Sequence, residues 1–291
     1  MQEPAEFITI DWSGRTISIE YQWISCDSAG APLVVFLHEG LGSVSMWKEF
    51  PQRLCRFLGC RGLVYSRPGY GRSTPRADDE VWESDFMHRQ AQQVLPAVLE
   101  SLRIDAAADR LWLLGHSDGG SIALLYAAFY PERTAGAIVL APHILVEDVS
   151  ISSIEKTRTA YLEGDLRQRL QKHHRSPDSA FWGWNTIWLD PRFRQWSIEQ
   201  EISAIRCPLL AVQGLNDPFG TMQQVRGIAR LLPQAEILEI PDCGHSPQRD
   251  QPEQLMAAAA RFIENVNKTQ NPSGEVAADT ATFAAGARDG T

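Results

Sequence analysis

The pentapeptide Gly115-His116-Ser117-Asp118-Gly119 stands where an apolar run, 110–114, passes into a stretch rich in alanine and leucine, 121–128. A serine on a tight turn between strand and helix is held in a strained backbone conformation, with its hydroxyl projecting above the sheet. Small flanking residues let neighbouring backbones close in, and the N-terminus of the following helix favours negative charge nearby. That is the setting of a serine nucleophile, which needs a base and a carboxylate to orient the base. Asp217 follows the apolar run PLLAVQG (208–214), and His245 follows AEILEIP (235–241). The two are 28 residues apart, room for one helix and one strand. Both therefore emerge with Ser117 at the carboxyl edge of a sheet, where open α/β sheets bind ligands. Taken singly, His245 reads equally well as a surface-loop histidine, and Asp217 as a turn residue before proline. Asp242 is a rival acid, but it lies too close in sequence to His245 to approach its ring easily.

Acyl-transfer chemistry also needs two backbone N–H groups aimed where negative charge develops. The candidates for this oxyanion hole are Asp118, directly after the serine, and Gly40, in the loop His38-Glu39-Gly40-Leu41-Gly42-Ser43 that follows PLVVFL. A Glu39 carboxylate facing that hole would oppose the charge formed there. It is expected to turn away, with Arg67 as its partner. Arg67 belongs to a second turn-rich loop, Ser66 to Ser73.

These loops need strands and helices to hold them. Short β-branched runs alternate with longer helical patterns, which predicts an α/β fold: an eight-stranded, mostly parallel sheet with helices on both faces. FITIDW (7–12) and ISIEYQWIS (17–25) read as an antiparallel hairpin, and the later runs at 32–38, 62–67, 110–116, 136–142, 208–214 and 235–241 are near-continuously apolar. Strands buried on both faces have that character. Helices are expected at about 45–58, 85–103, 119–130, 222–232 and 252–266. The 64 residues 143–206 are far too many for an ordinary crossover. They are expected to form an inserted helical cap on a core made of 1–142 and 207–267, with 268–291 a disordered tail. The insertion holds four of the nine tryptophans, Trp182, Trp184, Trp188 and Trp196. They line an apolar acyl pocket or form the insertion's own small core; the first reading makes Trp182, Trp184 and Trp188 substrate-binding residues.

Over roughly residues 7–267 the chain resembles the α/β-hydrolase fold superfamily, and within it cap-bearing bacterial carboxylesterases and related serine hydrolases. The resemblance rests on His38 with Gly40 and Gly42, on Gly69, Gly71 and Ser73, on the nucleophile elbow Gly115 to Gly119, and on Asp217 and His245. The superfamily order of serine, acid and histidine is kept. Two positions depart: Glu39 stands where the superfamily usually has glycine, and Ser66 where the second loop often begins with aspartate. The resemblance implies a catalytic triad of Ser117, Asp217 and His245 acting on an ester or thioester without a cofactor. Hydrolytic cleavage of a C–C bond is the alternative chemistry, and a non-catalytic small-molecule binding protein the alternative class. Epoxide hydrolases and haloalkane dehalogenases share the fold but use an aspartate nucleophile, so Ser117 counts against them.

Composition narrows the partners. With 27 basic and 36 acidic residues the net charge is −9, which argues against nucleic acid. No apolar run approaches the roughly 20 residues that span a bilayer. The start of the chain carries no signal-peptide pattern. Five scattered cysteines, an odd number without a CxxC, point to free thiols, a cytoplasmic location and no structural zinc. The expected partner is a small acyl substrate. His173-His174 invites a metal reading, but adjacent helical side chains diverge, and a solvated helix face is expected. The basic residues Arg167, Arg169, Lys172 and Arg175 around them read as part of that face, the alternative being a seat for the phosphates of a coenzyme A thioester.

Overall fold

The computed structural model describes residues 6–28, 30–77 and 79–270. Eight strands form one sheet: β1 (Glu6–Trp12), β2 (Arg15–Ile24), β3 (Leu33–Leu37), β4 (Arg61–Tyr65), β5 (Leu111–His116), β6 (Gly136–Leu140), β7 (Leu209–Gly214) and β8 (Glu236–Ile240). Their spatial order is β1-β2-β4-β3-β5-β6-β7-β8. The β1–β2 hairpin and the β2–β4 pair are antiparallel, and every pairing from β4 to β8 is parallel. All residues of β3, β5, β6 and β7 are buried, as strands covered on both faces must be.

The two-residue period of β3 sorts its side chains to opposite faces. Val34 and Phe36 join a cluster beneath α1 (Phe50–Leu58) and α11 (Pro252–Gln270). Leu33, Val35 and Leu37 join a larger cluster with α2 (Phe86–Arg89), α3 (Leu95–Ser101), α4 (Asp118–Phe129) and the later α9 (Gln223–Leu231). Helix α4 is buried at every position except Phe129, which explains its uniformly apolar sequence. The helix expected at 85–103 is interrupted by a π turn, Gln90–Val94, between α2 and α3. Pro96 has no N–H to continue an α ladder, and the carbonyl of Gln92 accepts the Tyr130 hydroxyl at 3.0 Å instead.

Residues 143–206 leave the sheet after β6 and return before β7. They hold α5 (Asp148–Glu163), α6 (Leu166–Gln171), α7 (Pro177–Trp188) and α8 (Glu199–Ile202). Ser176 caps α7 by accepting the Ser179 N–H at 3.2 Å. The short α10 (Pro247–Asp250) follows the loop after β8. Of the tail expected at 268–291, residues 268–270 belong to the last turn of α11, and the remainder lies outside the described residues. All five cysteines are unpaired.

Candidate active site

Ser117 sits between β5 and α4 with φ 54° and ψ −120°, a left-handed conformation for a residue with a side chain. Its N–H donates to the Leu140 carbonyl at 2.8 Å, which ties the turn to the end of β6. The turn is tight enough that a β-carbon on Gly119 would come 2.0 Å from the Leu37 carbonyl oxygen, so only glycine fits. The sheet ends bring the predicted partners to it. Ser117 Oγ lies 2.9 Å from His245 Nε2, and His245 Nδ1 lies 2.9 Å from each carboxylate oxygen of Asp217.

The proton positions follow from the partners. An ionised Asp217 only accepts, so Nδ1 donates to it and Nε2 of the neutral ring accepts from the serine hydroxyl. Asp217 Oδ1 also accepts the Phe219 N–H at 2.8 Å, and Gln213 Nε2 donates to Oδ2 at 3.2 Å. Burial pushes the Asp217 pKa up, but hydrogen bonding to His245 and its charge more than reverse this. The group lies below the ordinary carboxylate value. Asp242 does not compete: it stands at φ 51° in the turn, and its backbone carbonyl accepts from Gln251.

The loop after β3 is held from behind. The Glu39 carbonyl accepts from His38 Nδ1 at 2.7 Å and from Arg67 Nη2 at 2.8 Å, while the Arg67 N–H donates to His38 Nε2 at 3.0 Å. In a trans peptide C=O and N–H point in opposite directions. With the carbonyl of residue 39 turned toward Arg67, the Gly40 N–H is turned the other way. Burial, then the charge of Arg67, holds His38 well below its ordinary pKa, so the ring stays neutral.

Glu39 corrects one expectation. Its carboxylate pairs with the His116 ring rather than Arg67, with Oε2 3.5 Å from Nδ1. Arg67 is buried beneath the loop, its guanidinium 4.6 Å over the Tyr70 ring, and reaches Glu39 only through the backbone. Burial works to raise the Glu39 pKa, yet hydrogen bonding and charge from His116 bring it down to about 2. Where aspartate was expected, the Ser66 hydroxyl donates to Glu20 at 2.7 Å and accepts the Val44 N–H at 2.9 Å, a structural contact.

Two of the tryptophans meet the oxyanion candidates. Trp184 packs on Gly40 so closely that a β-carbon there would lie 2.1 Å from its indole nitrogen. Trp188 Nε1 donates to Asp118 Oδ1 at 3.2 Å. The other Asp118 oxygen is 3.9 Å from Arg67 Nη2. Burial outweighs that cation and lifts Asp118 to about 6. Trp182, two residues from Trp184 and so on another face of α7, packs on Tyr161, Phe181 and Arg158. Trp196 stacks on Phe193 at 5.2 Å between ring centroids.

Sequence reasoning missed His143. It lies just past β6, with its ring 4.9 Å from Trp188 and 5.9 Å from His245, and burial followed by the charge of His245 lowers its pKa to about 3. The Ser121 hydroxyl fixes it by donating to the His143 carbonyl at 2.6 Å and accepting its N–H at 3.1 Å. Its place at a strand's carboxyl end was the available signal. His174 is another correction. It is buried rather than solvated, accepting the Gly71 N–H at 2.9 Å and donating to the Leu41 carbonyl at 2.9 Å. Among the described residues no group of three metal-ligating side chains occurs, and no helix is long and apolar enough to cross a membrane.

Comparison with known proteins agrees with the fold. The chain is 22% identical to a 2-hydroxy-6-oxo-6-phenylhexa-2,4-dienoate hydrolase of Burkholderia cepacia, over 90% of this chain and 96% of that one. It is 25% identical to the mouse sn-1-specific diacylglycerol lipase ABHD11, over 86% of each. Among solved structures, an esterase from Thermogutta terrifontis superposes with a TM-score of 0.70 at 20% identity, covering 91% of this chain and 99% of that one. A carboxylesterase structure from Nitrososphaera gargenis gives 0.71 at 18% identity, covering 90% and 100%. The model of the alpha/beta hydrolase family matches residues 34–259, most of the described chain, and the protein belongs to that family.

Proposed function

We propose that the protein is a serine hydrolase that cleaves an ester or thioester of a small acyl substrate through an acyl-enzyme, without a cofactor. The supporting observation is the unbroken line from Ser117 Oγ through His245 to Asp217, with each contact 2.9 Å. Ser117 Oγ attacks the acyl carbon while His245 Nε2 takes its proton. The oxygen that becomes negative is received by the N–H groups of Asp118 and Gly40. His245 then gives its proton to the departing alcohol or thiol. Water, deprotonated by the same histidine, attacks the acyl-enzyme, and the acid leaves as Ser117 recovers its proton. Asp217 holds the imidazole in the required tautomer and balances its transient charge.

Residues 143–206 act in this reading as a cap whose Trp184 and Trp188 close over the oxyanion donors. Hydrolysis of a carbon–carbon bond in a dienoate is the second reading, favoured by the name of the Burkholderia relative. A purely binding role is disfavoured, because binding alone does not require serine, histidine and carboxylate in line.

A panel of p-nitrophenyl esters of increasing acyl length, with acyl thioesters and a 2-hydroxy-6-oxo-dienoate alongside, tests the assignment. Ester or thioester turnover is expected, with a fluorophosphonate probe labelling Ser117. Ser117→Ala should stay folded and lose nearly all turnover, leaving only what binding and the oxyanion donors supply. Labelling of a different serine, or an active alanine variant, overturns the reading; turnover of the dienoate alone selects the second one.

A further inference from the structure

In the proposed reaction His245 hands its proton to the departing atom, so the leaving group must lie on the His245 side of Ser117. A cleft of about 700 Å3 lies beside the residues that follow His245. Its inner end is marked by Ser246 and Gln248, which follow the histidine, and by Glu39. Gln248 Nε2 is 3.0 Å from the same His116 nitrogen that faces Glu39. The volume falls within the roughly 300–1,000 Å3 of small-molecule sites.

Cations outnumber carboxylates on its walls. Lys48, Arg53, Arg169, Lys172 and Arg249 line the cleft, against the carboxylates of Glu39 and Glu49. Five cations converge on a single cleft in a chain whose net charge is −9. They come from three separate parts of the chain: α1 with the segment entering it, helix α6 with the residue after it, and α10. Arg167, by contrast, turns away and pairs with Asp178 at 2.6 Å.

The present partners of the arginines are carboxylates, exposed for Arg53 and Arg169 and half-buried for Arg249. Arg53 meets Glu253 at 2.6 Å, Arg169 meets Asp165 at 3.2 Å, and Arg249 meets Asp250 at 3.0 Å. Such exposed pairs are worth little, so the guanidinium groups can turn to an incoming anion at low cost. Guanidinium forks match phosphate oxygens in charge and geometry. Glu39, held as a carboxylate at the inner end, repels an anion from the reacting carbonyl. The anionic part of a ligand is therefore kept toward the mouth, over a floor that includes Trp47 and Phe50.

We propose that this cleft receives the leaving group of the substrate, and that this leaving group is a thiol or alcohol bearing phosphate at the far end of an uncharged arm. The proposal rests on the serine-hydrolase reading of Ser117, His245 and Asp217. The test compares matched butyryl substrates. Butyryl-coenzyme A is set against butyryl-pantetheine, the same thioester and uncharged arm without the phosphates and nucleoside, and 1-butyrylglycerol 3-phosphate against 1-butyrylglycerol.

A kcat/KM at least about tenfold higher for the phosphate-bearing member of one pair is expected, and the pair showing it tells thiol from alcohol. Arg169→Glu with Lys172→Glu should collapse that ratio, mainly through KM, whereas Arg167→Glu outside the cleft should leave it in place. Binding of adenosine 3′,5′-bisphosphate, measured by calorimetry on the wild-type protein, gives a readout independent of the acyl group. Saturable binding that weakens in the double variant and in high salt is expected.

Ratios near one for both pairs, together with no bisphosphate binding, overturn the cleft proposal while leaving the hydrolase reading intact. Absence of any Ser117-dependent turnover defeats that reading, and the leaving-group assignment with it.

Discussion

Asp242 stands three residues before His245 and Asp217 stands 28 before it, but the two hydrogen-bond contacts to its ring nitrogen belong to Asp217. Replacing Asp217 by Asn removes the charged, acceptor-only carboxylate that fixes the tautomer, and kcat should fall by about ten-thousand-fold with the fold intact. Asn is tolerated at φ 51°, so Asp242→Asn should change kcat by less than a few-fold in the same steady-state assay. The reverse ranking would name Asp242 as the acid. Asp118 allows a second residue-scale test. Its pKa rises from an ordinary 3.8 to about 6 in the folded protein, mainly through burial. The folded state thus holds a proton that the unfolded chain has released, and stability contributed by this group falls as pH rises through that window. The amount is on the order of 3 kcal/mol. Asp118→Asn keeps an acceptor for Trp188 but cannot titrate. Urea unfolding of both proteins between about pH 4 and 6.5 should show wild-type stability declining relative to the variant. A flat or rising difference would assign the pH dependence elsewhere.

Helix α7 divides its tryptophans by face. Trp184 and Trp188 are four residues apart, one turn above another, and meet Gly40 and Asp118; Trp182 faces Tyr161 and Phe181. Trp184→Ala and Trp188→Ala should reorder acyl preference, with the best substrate losing about 1–3 kcal/mol in kcat/KM. Trp182→Ala and Trp196→Ala should lower the thermal midpoint and leave the ester-length ranking unchanged. A fixed ranking in all four variants would make the tryptophans structural only. The division also shows where sequence reading stops. The i to i+4 relation was available in the sequence, but the face that meets the site depends on how α7 docks. Ser117, Asp217 and His245 were legible because each follows an apolar strand, and parallel strands deliver their ends to one edge. The Glu39–His116 pair, His143 and the buried His174 were not, because each contact joins segments far apart in the chain. The π turn escaped for a similar reason: Pro96 announces a broken ladder, but not the Tyr130 hydroxyl that takes up the carbonyl.

At the scale of the whole molecule, burial is uneven. Every residue of β3, β5, β6 and β7 is buried, whereas α5 buries only Ser150, Ile151, Ile154 and Tyr161 of its 16 residues. Helix α5 is tied to the loop after β7 by Ser150 and Ser153, which donate to the Phe219 and Pro218 carbonyls, and the start of α7 by more contacts. Arg175 N–H donates to the Gly71 carbonyl at 2.7 Å, His174 bridges Gly71 and Leu41, and Ser179 Oγ accepts the Arg76 N–H at 2.7 Å. Segments with little buried apolar surface open locally, while central strands exchange amide protons only when the whole fold opens. Hydrogen exchange read by mass spectrometry should therefore rank the peptides: α5 and α6 fastest, α7 slower, and the four central strands slowest. Mild denaturant should accelerate the strands strongly and α5 weakly, because only global opening exposes much surface. This order leaves residues 143–206 able to open while Ser117, His245 and Asp217 stay assembled on the sheet edge. If α5 exchanged as slowly as β5 and with the same denaturant dependence, residues 143–206 and the sheet would be one cooperative unit. Substrate would then have to enter through the cleft beside His245 without any opening of α5.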